Sequence, residues 1–411
     1  GSDGSGSSWA NASTNFPAAY ADAGHYRGEV WVRQGRYHTG NILPLSNVAL
    51  RGGFAGTESD AAEADPSLYK TIFSGDVNEN NHWIHDKANK GSIWQDGVFT
   101  MPSIEWKPSG NNGDDIAYFF VSADNVTNCA VDGVTFTCFK NGVFQQLSYS
   151  TDVSLSRCDL LANNTGESGT VILTRGLIAL RDCRFIGSPS MLNLSGSSTG
   201  TNLIEDCLFA YSYNGNHGMI RNTASTRLDI RRTTFTHNRD TSWWAHHAAA
   251  LDYNGGSGTV EDCVFANHRS STSSMGPVRI GQAGKAPLVE FIRCAFTNNV
   301  HDTGNHESSH TACVRILNSS SCIFRDCRFA GNTASVTTTN ERSLASTVMV
   351  DAGYARFINT SFEDNVVDAP EGTTGSSIAC IRTSGDSTCV ALVNCAFLNN
   401  GTYVATNTPH S

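Results

Sequence analysis

Eight of the thirteen histidines in this 411-residue chain fall in one segment: His217, His237, His246, His247, His268, His301, His306 and His310. Trp243, Trp244, Tyr253 and Arg269 share it, and a series of short apolar strands carries Arg221, Asp252, Arg279, Arg315, Asp351 and Arg382 at matching positions. Imidazole is a general base near neutral pH, a tyrosine hydroxyl can act as an acid, and a guanidinium can neutralise a carboxylate. Together they are the groups needed to abstract a proton beside a uronate carboxylate and eliminate the linked sugar. The segment therefore predicts a polysaccharide lyase with His247, His310, Arg279 and Tyr253 as catalytic groups. Arg221, Asp252, Arg315, Trp243, Trp244, His246 and Arg269 would hold the glycan.

Other readings of the same residues stand beside this one. Stacked parallel strands lie about 4.8 Å apart, so Arg221 can pair with Asp252 and Arg315 with Asp351 as a solvated charge ladder. Arg279 beside Arg315 breaks that alternation, and two like charges side by side call for an anion or another acid between them. An inverting hydrolase needs two carboxyl groups at a set separation. Asp252 and Asp351, three coils apart at roughly 14 Å, are too distant, which leaves Asp302 or Glu307 as partner for Asp252. His301, His306 and His310 match no strong zinc spacing. No metal or cofactor is expected, and calcium is not indicated.

These residues can meet only if the chain stacks them, and a repeat does so. Cys-x-Phe or a close variant recurs at Cys158, Cys183, Cys207, Cys263, Cys294, Cys327 and Cys395. Threonine replaces the cysteine at Thr233, before Phe235, and at Thr360, before Phe362, and Val134-Thr135-Phe136 is the first copy. The spacing grows from 24 residues (Phe136 to Leu160) to 35 (Phe362 to Phe397). A drifting period of this size predicts an all-β, right-handed parallel β-helix, a solenoid with variable loops. Asparagine follows the aromatic position by three at Asn163, Asn238, Asn299, Asn332, Asn365 and Asn400, a row expected to bond along the axis. The seven repeat cysteines should be buried free thiols. Cys313 with Cys322 and Cys380 with Cys389 are spaced to allow a bridge across a turn, which sequence leaves open.

The reading is of a single domain over 1–411. Residues 1–28 form a cap with a short amphipathic helix around Phe16 and Tyr20, 77–114 an irregular excursion with scattered tryptophans, and 115–411 regular coils. Charged residues are only 16% of the chain and the net charge is −10, which argues against a nucleic-acid partner. No apolar run is long enough to span a bilayer. The composition suits a secreted or surface protein acting as a monomer on an extracellular, anionic polysaccharide. The leading Gly1-Ser2 reads as a tag remnant, so a signal peptide could precede the natural sequence.

Leu50-Arg51-Gly52-Gly53-Phe54-Ala55-Gly56-Thr57-Glu58 and Asp132-Gly133-Val134-Thr135-Phe136 carry a resemblance. So do the small-small-apolar strands such as Gly218-Met219-Ile220 and Ala312-Cys313-Val314. The chain resembles bacterial surface proteins with polymorphic outer membrane protein repeats, within the pectate-lyase-like β-helix superfamily. The resemblance covers essentially the whole length. It implies the β-helix fold, and as a second function class a non-catalytic adhesin or autotransporter-like passenger whose coils are a rigid stalk.

Overall fold

The computed structural model describes residues 4–78 and 115–410 apart from short segments (122–124, 148–150, 164–170, 189, 197–198, 213–218, 241–247, 272–275, 283, 303–308, 336–343, 370–377, 386 and 405–407). Between 79 and 114 it describes the backbone of five short strands. There His82–His85 pairs antiparallel with Asn89–Lys90 and Trp106–Ser109, and Trp94–Gln95 with Val98–Phe99. The chain divides into two units, Gly1–Ser188 and Pro189–Ser411.

Both units are built of parallel strands stacked in register, and the fold is a right-handed parallel β-helix. In the first unit Cys129–Asp132, Asp152–Ser156 and Leu177–Arg181 stack as one sheet. Val134–Thr137, Asp159–Leu161 and Arg184–Ile186 stack as a second, and Tyr118–Phe120, Gly142–Leu147 and Ile172–Thr174 as a third. One coil of the second unit shows the same path: Ser257–Glu261, Val264–Ala266, Arg269–Ser271 and Val278–Ile280 contribute in turn to four sheets. The fourth sheet, from Arg239–Asp240 to Gly401–Val404, ends in the antiparallel strand Thr408–His410.

The repeat residues fill the interior. Phe235, Phe265, Phe296, Phe329, Phe362 and Phe397 form one column with ring centroids 4.5–5.1 Å apart and planes within 6°. Phe291, Phe324 and Phe357 form a second column that meets the first edge-on. These offset contacts suit the aromatic quadrupole and add to the burial gain. Six of the seven repeat cysteines are buried, Cys395 partly so, and all thirteen cysteines are free. Each buried repeat thiol acts as a weak donor to the carbonyl two residues earlier, as Cys183 Sγ does to Arg181 O. Most also reach a carbonyl of the preceding coil, as Cys263 does Ile230 O. Thr233 and Thr360 make the first of these bonds with a hydroxyl. The spacings that allowed bridges at Cys313–Cys322 and Cys380–Cys389 hold free thiols.

The residue before each cysteine is left-handed, from Arg157 and Asp182 through Asp262 and Arg293 to Asn394. That single αL residue turns the chain from the first sheet to the second. Its side chain lies outside and pairs between coils: Arg232 with Asp206 and Glu205, Arg293 with Asp262 and Glu261. At the next corner Asn299, Asn332 and Asn365 are wholly buried. Each accepts the main-chain N–H of the preceding coil's corner residue on Oδ1 and donates Nδ2–H to a phenylalanine carbonyl. Ser188 and His268 stand in this row where asparagine is missing.

The helix spans Phe16–Tyr26, capped by Asn15 Oδ1 on the Ala18 amide and closed by left-handed Arg27. It lays Phe16 on Phe73 at 4.9 Å and buries Tyr20 beside Phe120. Trp9 lies in a separate 3-10 turn over Trp31 and Phe54. Gly35–Tyr37, which reads as a turn in the sequence, is a strand of the second sheet. In the Gly-Gly-Phe-Ala-Gly-Thr-Glu stretch, Glu58 accepts the amides of Ala55, Gly56 and Thr57 at 2.6–2.9 Å. Gly53 (φ +89) and Gly56 (φ +100) supply the backbone this turn requires.

Candidate functional site

The predicted site centres on the third sheet of the second unit. Arg221, Asp252, Arg279 and Arg315 stand in register on successive strands, as the repeat implied. Asp351 does not belong to this row. Met349 occupies its place, and Asp351 aligns with Leu317. Arg382 resumes the row opposite Met349.

The row is not a solvated ladder. Asp252 is wholly buried and Arg279 is 7% exposed. Arg279 clamps Asp252 with Nε on Oδ1 at 2.5 Å and Nη2 on Oδ2 at 2.8 Å, and it also donates to Asn254 Oδ1 at 3.2 Å. Arg315 is held by Asp351 Oδ2 at 2.7–2.8 Å, and Ser384 donates to the other oxygen. Each guanidinium thus has its own carboxylate, which removes the reason to place an anion between Arg279 and Arg315. Asp252 cannot contact a substrate, and Arg279 cannot act on one. Tyr253 is also fully buried. Its hydroxyl donates to carbonyls, Ser257 O at 2.7 Å and Leu228 O at 3.1 Å, and burial pushes its pKa up. It is a core residue, not the acid of an elimination. The expected outward phase fails because both faces of these strands are covered.

The histidines separate. His268 and His301 are buried and held neutral: burial lowers His268 to about 3, and burial with the nearby Arg315 charge lowers His301 to about 4. His268 Nδ1 accepts the Asn238 amide at 3.3 Å, and His301 Nδ1 lies 3.2 Å from Ser270 Oγ. His237 is exposed at a corner. His217, Trp243, Trp244, His246, His247, His306 and Glu307 lie outside the described residues, as do the side chains of Asp302 and His310. Arg269 is exposed, and Arg221 half-buried. Among the described residues no three His, Cys, Asp or Glu side chains converge to hold a metal. No helix there is long and apolar enough to cross a membrane.

A cleft that the sequence did not reveal lies in the first unit. The loop between the strands Ala49–Phe54 and Thr71–Ser74 leaves the coil and overhangs the outer face of the second sheet. It encloses about 700 Å³, lined by Glu63, Asp65, Lys70, Thr135, Arg157, Asp159, Asp182 and Arg184 with neighbouring loop residues. Pro66 packs on Gly133 (φ +66), where an added Cβ would meet the proline at 3.2 Å. Arg157 Nη1 donates to Ala64 O in the loop, and its Nε and Nη2 donate to Asp132. Arg184 forks onto both oxygens of Asp159, and Lys70 Nζ approaches the same carboxylate at 3.7 Å. Ser67 holds the Asp65 carboxyl below the usual range. The walls are polar and pre-paired, suited to a ligand rich in hydroxyl groups. Both oxygens of Asp159 are engaged by Arg184, so this carboxylate serves to fix the guanidinium in the cleft wall.

The class defined by this architecture is the right-handed parallel β-helix. No family model matches the chain, and no curated protein does. Among solved structures it is similar to the catalytic unit of a thermostable GH87 alpha-1,3-glucanase from Streptomyces thermodiastaticus strain HF3-3. The identity is 15% and the TM-score 0.45, over 96% of this chain and 68% of that one. Likeness at this level says nothing of substrate.

Proposed function

We propose that this chain is a secreted or surface β-helix protein that binds extracellular polysaccharide in the cleft beneath residues 62–70. The observation that carries the reading is that cleft: about 700 Å³, open, and walled by Arg184–Asp159 and Arg157–Asp132 pairs fixed before any ligand arrives. Its size falls within the range of ordinary ligand sites, and fixed polar groups lower the ordering cost of binding. The resemblance of the glycine-rich stretch to bacterial surface-protein repeats suits the same setting.

Binding is favoured over elimination because the described part of the predicted lyase site has lost its acid, Tyr253, and its free guanidinium, Arg279, to the interior. The test is calorimetry with uronate, sulfated and neutral oligosaccharides, with ultraviolet detection of unsaturated product in parallel. Saturable binding that weakens at least about tenfold in Lys70→Ala and Thr135→Ala, with no unsaturated product, is the expected result. Binding unaffected by both changes would remove the cleft from the account. Unsaturated product would restore the lyase.

A further inference from the structure

Tyr211 and His237 occupy equivalent corners of neighbouring coils, where the second sheet ends. Both are left-handed, φ 57° and 53°. The same corner in later coils is filled by Asn267, Asn298, Gly331, Asp364 and Asn399, types that tolerate this backbone. Histidine is itself a type enriched at such a backbone, whereas a bulky tyrosine there is an outlier that folding alone does not select. Neither ring is core: Tyr211 is half-buried and His237 exposed. They lie face to face, centroids 5.1 Å apart and planes 13° from parallel, with His237 Nδ1 2.8 Å from Thr236 Oγ.

Two residues beyond His237 the chain enters the fourth sheet at Arg239, which stands in register with Arg269 of the next coil. Asn238 between His237 and Arg239 is buried, and so is Ser270 beside Arg269. By alternation Arg239 and Arg269 take the outer side, as the exposure of Arg269 records. One outer corner therefore presents two stacked rings beside two arginines carried on strands about 4.8 Å apart. Flat rings suit the apolar face of a sugar, and paired guanidiniums suit carboxylates or sulfates along a chain.

The geometry points to a second glycan site on this corner, specific for an acidic oligosaccharide that lies across Tyr211 and His237 with its anionic groups on Arg239 and Arg269. The site rests on the reading of the chain as a glycan binder but not on the cleft, which belongs to the other unit. The test uses tetragalacturonate, a sulfated tetrasaccharide and a neutral tetrasaccharide, titrated calorimetrically into the full chain and into Tyr211→Asn, His237→Asn and Arg269→Gln. Asparagine fits the left-handed corner, so the first two variants should melt no lower than the parent. Their affinity for an acidic probe should fall at least about tenfold, with the neutral probe unaffected. Arg269→Gln should weaken acidic binding and flatten its salt dependence. Acidic binding unchanged in all three variants, or no acidic binding by the parent, overturns the site. Loss in Lys70→Ala alone would assign the binding to the cleft and leave the corner without a role.

Discussion

Arg279 grips Asp252 from the next coil with two parallel hydrogen bonds of 2.5 and 2.8 Å, and neither residue reaches solvent to any useful extent. A pair buried this deeply gains from mutual attraction and loses by desolvation, so its net worth is small while either half alone is costly. Asp252→Ala should therefore destabilise the second unit by about 3–5 kcal/mol, whereas Asp252→Leu with Arg279→Met should recover most of that loss. Urea denaturation of the three proteins measures both. A double variant no better than Asp252→Ala would show that the ion pair itself holds the coils together.

The asparagine corner predicts a second cost. Asn332 accepts from the Asn299 amide and side chain and donates to Phe296 O, all within the core. Asn332→Ala removes these bonds and strands buried partners, so a loss of roughly 2–4 kcal/mol is expected. Asn332→Asp keeps the acceptor and should cost less near neutral pH only if water reaches Phe296 O. Thermal melts of both variants give the comparison.

Acid should weaken the fold through two imidazoles. Unfolded histidine binds its proton near pH 6.5, while folded His268 and His301 refuse it until about 3 and about 4. Below about pH 6.5 the unfolded state thus holds more protons, and stability declines as pH falls. Each neutral histidine costs up to about 1.4 kcal/mol per pH unit until its folded value is reached. His268→Asn restores the commoner residue of that row and should flatten the decline between about pH 6 and 4. An unchanged pH profile in that variant would dismiss His268 as a source of acid lability.

Thiol chemistry should follow burial. Cys389 is exposed, while Cys294, Cys313, Cys322 and Cys327 are buried with their pKa values raised, mainly by burial except at Cys327, where the hydrogen bond with Cys294 leads. A thiol-disulfide reagent should modify Cys389 quickly and the others only on unfolding. Cys294→Thr should fold normally, since Thr233 and Thr360 already fill that position. Mass spectrometry of the labelled native chain reads the first expectation, and a melt the second.

The interior was legible because it repeats. Cys263, Phe265 and Asn299 recur at positions whose partners are their own copies, and stacking follows from the period. His268 was equally legible, since it falls three residues after Phe265 where other coils carry asparagine. Its membership of a histidine crowd hid that. The phase of Leu251-Asp252-Tyr253 was not legible, because alternation marks an outer face only when that face meets water. The cleft left no pattern in the chain: Asp65, Arg157 and Arg184 come from a loop and two later coils, and Gly133, left-handed and closely approached by Gly52 O and Pro66, is the one local sign of something lying over it.

The regular coils repeat their left-handed corners, stacked core side chains and buried polar corner residue, and each of these answers chiefly to its vertical neighbours. Changes of length in the links between strands, such as that joining Val300–Asp302 to Ser309–Leu317, therefore need not disturb the column within. A slip of one residue inside Val264–Ala266 would turn Phe265 outward and break the column there. Such a protein can be remodelled at its periphery in small steps, while its backbone accepts change only in whole turns.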